Sequence, residues 1–240
     1  MLVTNFNFKF LLYKLVLPFF QLLDTGRMHP VRERAFRALA KSVDYIDKHM
    51  PNAVGFETQK ELIHYSLNQA IMPGCYMEFG VFTGGTLRYM AKNKPQYHFH
   101  GFDSFEGLPE DWSGMPFIKS TFSTKGKLPK VPHNVTLHKG WFNETLTTWH
   151  KQYQDKVAFI HIDCDLYSST VDILENLRDR LQKGTIILFD EYLNYPGWEH
   201  HEFKAWQEFV DKYAIQYDYI GFARQQTAIR ILDSKSLAFN

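Results

Sequence analysis

Four short blocks place carboxylates and glycines at the ends of apolar runs. Glu78 heads the segment Glu78-Phe79-Gly80-Val81-Phe82-Thr83-Gly84-Gly85-Thr86. Asp103 opens Asp103-Ser104-Phe105-Glu106-Gly107-Leu108-Pro109, 25 residues after Glu78. Asp163 and Asp165 close the run that starts at Val157, and Asp190 and Glu191 close the run that starts at Thr185. Glycines let a backbone approach a ligand closely, and a helix that starts there offers free N–H groups. A carboxylate inside such a turn repels a pyrophosphate but suits a cationic amino group. The spacing is neither the G-x-G-x-x-G fingerprint nor a P-loop. An acid one strand–helix unit later, as at Asp103, can accept both hydroxyls of a ribose. Asp163, Asp165, Asp190 and Glu191 have no Lys or Arg beside them in sequence. Crowded carboxylates repel, and a hard divalent cation with oxygen ligands removes the repulsion. Mg²⁺ is the expected ion, because no His/Cys cluster points to zinc. His161 reads as a packed core histidine. His200 and His201 lie downstream of the last acidic pair and are candidate bases. Each acid taken alone could equally cap a helix.

The elements that must position these residues follow from the hydrophobic periodicity. Ala35, Leu39, Val43 and Ile46 share one side of a helix over 31–49. Thr58 and Glu61 form a capping box for a second helix, with Leu62, Ile63, Leu67 and Ile71 inward, stopped by Pro73-Gly74. Strands are expected over 75–81, 97–102, 135–138, 157–162 and 185–189, with a hairpin over 217–222 and 227–232. Helices are expected over 86–92, 170–182 (with Gly184 as its C′ residue) and 203–213. Strands alternating with helices imply a Rossmann-like α/β fold: a mostly parallel seven-stranded sheet, a C-terminal antiparallel hairpin and helices on both faces. Such sheets bind ligands at the carboxyl ends of their strands, where the four acidic blocks fall. Residues 112–143 hold Lys119, Lys125, Lys127, Lys130 and Lys139 but no acid, and read as a long loop or lid.

Composition sets the outer limits. The 240 residues are 45 % hydrophobic and carry a net charge of +1, which excludes a disordered chain and a duplex nucleic-acid binder. Cys75 and Cys164 lie in apolar runs outside any CxxC spacing, and are expected as buried thiols in the reducing cytoplasm. Aromatic residues make up 16 % of the chain. Many flank the acidic blocks, and another group lies in residues 1–30, read as a hydrophobic arm ahead of a domain over 31–240 with a helical cap over 31–73. Lys9, Lys14 and Pro18 interrupt the arm too often for a membrane span, and it has no signal-peptide cleavage site. The arm is expected to make a homo-oligomer contact, with an interfacial membrane contact as the alternative.

Taken together, Glu78–Thr86, Gly101–Pro109, Lys139-Gly140-Trp141-Phe142, Ile162–Tyr167 and Phe189-Asp190-Glu191-Tyr192 resemble the macrocin O-methyltransferase family over roughly residues 55–232. Members are class I methyltransferases that use S-adenosylmethionine and Mg²⁺ and often act on sugars of antibiotics. The resemblance implies that Glu78 meets the amino-acid end of the cofactor, with the backbone of Gly80, Phe82, Thr83, Gly84, Gly85 and Thr86 around it. It implies Asp103 on the ribose, with Ser104 and Phe105 nearby, and Gly140, Trp141 and Phe142 along the cofactor. Asp163, Asp190 and Glu191 would bind the metal. Asp163 would also touch the cofactor and serve as general base, with His200 as the other catalytic candidate. Many members carry Asp-Asp where this chain has Asp190-Glu191.

The expected reaction is methyl transfer to a hydroxyl of a small molecule, a sugar, other polyol or phenol, held by the metal through two oxygens. Trp198 and Trp206 are candidate walls of the acceptor pocket. Two other readings stand beside it. Asp163-x-Asp165 could be the metal motif of a nucleotide-sugar glycosyltransferase, or the chain could bind a cofactor without catalysis.

Overall fold

The computed structural model describes residues 29–233, so all but the last two residues of the expected arm, and both of its expected contacts, lie outside the described residues. The chain divides into two compact units, residues 1–37 and 38–240. In the first, the described residues begin helix α1 (Pro30–His49), where Glu33 and Arg37 form an exposed i,i+4 ion pair of 2.8 Å.

The second unit is built on one eight-stranded sheet. Its elements are β1 (Val54–Gly55), α2 (Gln59–Gln69), β2 (Cys75–Phe79), α3 (Gly85–Asn93), β3 (Phe99–Asp103), β4 (Val135–Lys139), α4 (Phe142–Gln152), β5 (Val157–Ile162), α5 (Tyr167–Leu177), β6 (Ile186–Phe189), α6 (Glu202–Tyr213), β7 (Gln216–Ala223) and β8 (Gln226–Asp233). The strand order is β1-β7-β8-β6-β5-β2-β3-β4, antiparallel only where β8 meets β6 and β7. This is the expected α/β class with its terminal hairpin. The eighth strand is the two-residue β1, which pairs in parallel with β7 through Val54 and Gly221. Along β6, Ile186 and Leu188 enter one apolar cluster while Ile187 and Phe189 enter the other, the period-two signature of a sheet buried on both faces.

Several local expectations need correction. The buried side of α1 within the second unit is Ala38 and Ser42, with Tyr45 and Ile46 half-buried, whereas Leu39 and Val43 stay exposed. Polar anchors select this side: Ser42 Oγ accepts from the Asn194 amide at 2.8 Å, and the Tyr45 hydroxyl bonds that of Tyr219 at 2.7 Å. The capping box on α2 forms as expected, with the Glu61 amide donating to Thr58 Oγ1 at 3.3 Å and the Thr58 amide to Glu61 Oε2 at 2.9 Å. Ile71, however, lies beyond the helix and is exposed. Helix α5 starts three residues before Thr170 and gives way to a single 3₁₀ turn at Arg178–Arg180, so Gly184 belongs to the turn before β6 rather than to a helix end. Helix α4 had no counterpart in the sequence reading. Cys75 and Cys164 are buried free thiols. Among the described residues, no helix is long and apolar enough to cross a membrane.

Candidate functional site

The carboxyl ends of β2, β3, β5 and β6 are held level by backbone bonds that continue one residue past the strands. The Gly80 amide donates to Phe102 O, Asp163 to Phe79 O and Asp190 to Ile162 O, each at 2.9 Å. The four acidic blocks thus reach one edge of the sheet. Beside it opens a cavity of about 920 Å³, in the size range of small-molecule sites.

At one end lies the glycine turn. Gly80 has φ +93°, and a Cβ there would stand 1.6 Å from the Asp163 carbonyl oxygen, so the crossing of the two strand ends admits only glycine. Gly85 starts α3, and a Cβ there would meet nothing within 4 Å. Its backbone therefore faces open space at a helix N-terminus. Asp103 stands across from it. Its Oδ2 accepts from the Phe82 amide and its Oδ1 from the Phe105 amide, both at 2.6 Å. Phe82 (φ +46°) and Phe105 (φ +60°) both adopt the left-handed region, which bulky residues rarely occupy. Burial pushes the Asp103 carboxyl up, while these amide bonds pull it down. Each of its oxygens keeps a second lone pair. Ser104 Oγ accepts from the Glu106 amide at 3.1 Å and shapes the loop.

The other end is a carboxylate cluster. Ligand oxygens of Asp163, Asp165 and Glu191 lie within 4.8 Å of one another, and all three residues line the cavity. Burial raises the Asp163 and Glu191 carboxyls well above their ordinary range, and the charge of Asp190 adds to it. Asp165, at φ +66°, is pushed up to about 7 by the same two causes. Glu191 Oε2 is buried without a partner. Among the described residues, none of the side chains lining the cavity is Lys, Arg or His. A set of oxygen donors with an orphaned buried atom and no basic side chain on the cavity lining fits a hard divalent cation.

Four groups stand behind this lining. His161 is fully buried, not as an inert packed ring but between two acids: Nδ1 lies 3.1 Å from Glu78 Oε1 and Nε2 lies 3.3 Å from Asp190 Oδ1. Burial lowers the His161 pKa, but the bonds to Asp190 and Glu78 outweigh it and hold the ring well above its ordinary value. Asp190 is held low against burial by His161, and Gln226 Nε2 donates to the same Oδ1. Burial raises Glu78, whose Oε2 has no partner. Glu202, at the start of α6, accepts from the Glu191 amide at 3.0 Å and is fully buried.

The cavity therefore gathers Gly80, Phe82, Thr83, Gly85, Thr86, Asp103, Ser104, Trp141, Phe142, Asp163 and Glu191 from the sequence-predicted set. Gly84 caps α3, while Phe105 and Gly140 support the loop backbones, Gly140 through a 3.0 Å bond from its amide to Asp103 O. Glu78 and Asp190 lie one layer behind the lining. His200 is exposed on a 3₁₀ turn and does not line the cavity. His201 is buried against Trp112 and Tyr195, ring centroids 6.0 Å away, and burial lowers its pKa. Trp198 and Trp206 are core residues rather than cavity walls. Trp112, Met115, Phe117 and Phe122 of the acid-free loop line the cavity instead. The Trp112 amide donates to Phe117 O and the Leu108 amide to Thr121 O, both at 2.9 Å, so this loop is folded against itself over the site. Asp165 belongs to the four acids that the sequence reading brings together around a cation, although the metal set implied by the resemblance omits it. Glu202 and the loop aromatics carry no local signal in the sequence.

Residues 77–192 match the family model described as a methyltransferase domain. The chain is 30 % identical over 149 residues to the Streptomyces olivaceus 8-demethyl-8-(2,3-dimethoxy-alpha-L-rhamnosyl)-tetracenomycin-C 4'-O-methyltransferase, covering 50 % of this chain and 54 % of that protein. It is 33 % identical over 169 residues to demethyldecarbamoylnovobiocin O-methyltransferase of Streptomyces niveus, covering 61 % and 60 %. The chain thus spans less than two thirds of the length of both curated relatives. The fold is similar to that of the calicheamicin methyltransferase CalS11, with a TM-score of 0.59, 22 % identity, and 84 % of this chain and 91 % of that one covered. It is also similar to the O-methyltransferase NovP, with a TM-score of 0.57, 23 % identity, and 72 % and 79 % covered.

Proposed function

We propose that the chain is an S-adenosylmethionine-dependent O-methyltransferase of the macrocin type, acting on a hydroxyl of a small molecule with the help of Mg²⁺. The observation that carries this reading is one cavity with a glycine turn and a clamped acid at one end and an all-oxygen carboxylate cluster at the other. The two Streptomyces relatives are named as O-methyltransferases of a rhamnosyl-tetracenomycin and of demethyldecarbamoylnovobiocin, which supports a small organic acceptor. A glycosyltransferase reading of Asp163-x-Asp165 leaves the glycine turn and Asp103 without a task. The free thiols Cys75 and Cys164 suit a reducing compartment such as the cytoplasm. We also assign residues 1–30 to an arm apart from the methyltransferase domain.

The cofactor would supply an electrophilic methyl group, and the cation would lower the pKa of a bound hydroxyl. The chain's own residues do the rest. Asp103, unable to turn away from its two amide donors, accepts the ribose hydroxyls. The Gly80–Thr86 backbone passes along the amino-acid portion, with Glu78 behind it. Phe82, Trp141 and Phe142 wall the nucleoside. Of the predicted ligands, Asp163 and Glu191 hold the cation together with Asp165, and Asp190 backs them from one layer behind, where His161 and Gln226 engage its Oδ1. Asp163 takes the hydroxyl proton: it lines the cavity within the carboxylate cluster, where His200 does not. The Trp112–Phe122 segment excludes water from the acceptor side, and orientation supplies much of the acceleration.

The test is incubation with radiolabelled S-adenosylmethionine and a panel of glycosylated and phenolic small molecules, with Mg²⁺ or with EDTA. Label transfer that requires Mg²⁺ supports the reading. Transfer indifferent to EDTA removes the metal, and no transfer together with no S-adenosylhomocysteine binding removes the enzyme.

A further inference from the structure

We propose that His161 is a positioning residue that couples cofactor binding to cation binding, an inference that rests on the function proposed above. The side chain sits on β5, between β2, which carries Glu78, and β6, which leads into Asp190. In the parallel register Glu78 is level with His161, and His161 with Leu188, so the ring lies between Glu78 beside it and Asp190 just past the end of β6. Its two nitrogens engage the two acids, at 3.1 Å to Glu78 Oε1 and 3.3 Å to Asp190 Oδ1. The ring is planar, fully buried and enclosed by the sheet, so it cannot follow one acid without moving against the other. Gln226 Nε2 restrains Asp190 from the far side, and the Asp190 amide is fixed to Ile162 O. Glu78 Oε2 is buried without a partner, and the charge of Asp190 acts on Asp163, Asp165 and Glu191 in the cluster.

A ligand that orders Glu78 therefore also orders His161, and through it Asp190. A cation that orders the cluster does the same in reverse. Coupling of this kind is reciprocal: each ligand changes the affinity of the other by the same factor. Second-layer partners that orient metal ligands commonly alter metal affinity by 10- to 100-fold.

Isothermal titration calorimetry on the full chain tests the proposal, using S-adenosylhomocysteine with Mg²⁺ or with EDTA, and Mg²⁺ with or without S-adenosylhomocysteine. We expect each to bind about tenfold tighter in the presence of the other. His161→Asn keeps a donor in the Nδ1 position toward Glu78, and His161→Gln keeps one in the Nε2 position toward Asp190. Both variants still bind S-adenosylhomocysteine in EDTA, but its affinity no longer responds to Mg²⁺. A ring that merely fills space would leave the tenfold response intact in both, and that result overturns the proposal. So does a wild-type affinity that is the same with Mg²⁺ and with EDTA, a measurement that needs no variant to fold. Absence of any S-adenosylhomocysteine binding to the wild type overturns the cofactor reading itself, and the coupling with it.

Discussion

The two ends of the cavity are organised by opposite means. At the glycine-turn end every acidic oxygen of Asp103 already has a backbone donor, and the loop carries its strain in left-handed Phe82 and Phe105. At the cluster end Asp163, Asp165 and Glu191 crowd together with carboxyls pushed upward and an orphaned Glu191 Oε2. At the first end the clamp on Asp103 is built entirely from the chain's own backbone amides. The second crowds acids whose carboxyls are pushed upward by burial and by the charge of Asp190, with His161 behind them. On the proposed reading, one cavity combines a site preorganised by the chain with a site completed by an ion.

The largest break in this comparison comes from the cluster end. Asp163→Ala should lower kcat/KM by about 10³-fold, the equivalent of roughly 4 kcal/mol of transition-state stabilisation, while the glycine-turn end still binds S-adenosylhomocysteine. Steady-state kinetics alongside calorimetry read the two effects separately, and retained activity removes Asp163 from its role. At the other end, Gly80→Ala forces a Cβ onto the Asp163 carbonyl and should cost about 3 kcal/mol or more in urea unfolding. An unchanged midpoint would mean that the strand ends are not locked there. Asp103→Asn keeps the size but loses the charge on both amide bonds. Affinity for S-adenosylhomocysteine should fall about 10- to 100-fold, with the Mg²⁺ affinity of the free protein far less affected.

The smallest effect is the most diagnostic of the crowded carboxyls. Asp165 is held near pH 7 in the fold but sits near 3.8 when unfolded, so the folded protein retains a proton that the unfolded chain releases. Stability of the metal-free protein should therefore be full below about pH 4 with respect to this group and decline as pH rises through 7. Asp163 and Glu191 act in the same direction. Thermal unfolding at pH 5 and pH 8 should show this decline in EDTA and a smaller one in Mg²⁺. Equal slopes in both would count against cation binding by the cluster.

Legibility in the sequence follows the same division. The strands and acids were readable because each lies at the end of a continuous apolar run, and a run has a recognisable end. Helix α4 is poorly legible although Phe142, Leu146 and Trp149 recur at helical spacing, because three threonines dilute the pattern. Strand β1 has two residues and no periodicity to read. Glu202 and Trp112 reach the site only through tertiary packing of α6 and of the long loop. The role of His161 was hidden for a related reason. Its partners Glu78 and Asp190 lie 83 and 29 residues away, and only the parallel register of the sheet makes them neighbours.

The clamp on Asp103 also limits what the cavity will accept. A carboxylate free to rotate would follow a ligand that presented its hydroxyls differently. One held by two amides at 2.6 Å cannot, and its remaining lone pairs point in fixed directions. On the proposed reading it works as a gauge for a cis-diol, one that passes ribose and turns away arabinose or a deoxy sugar.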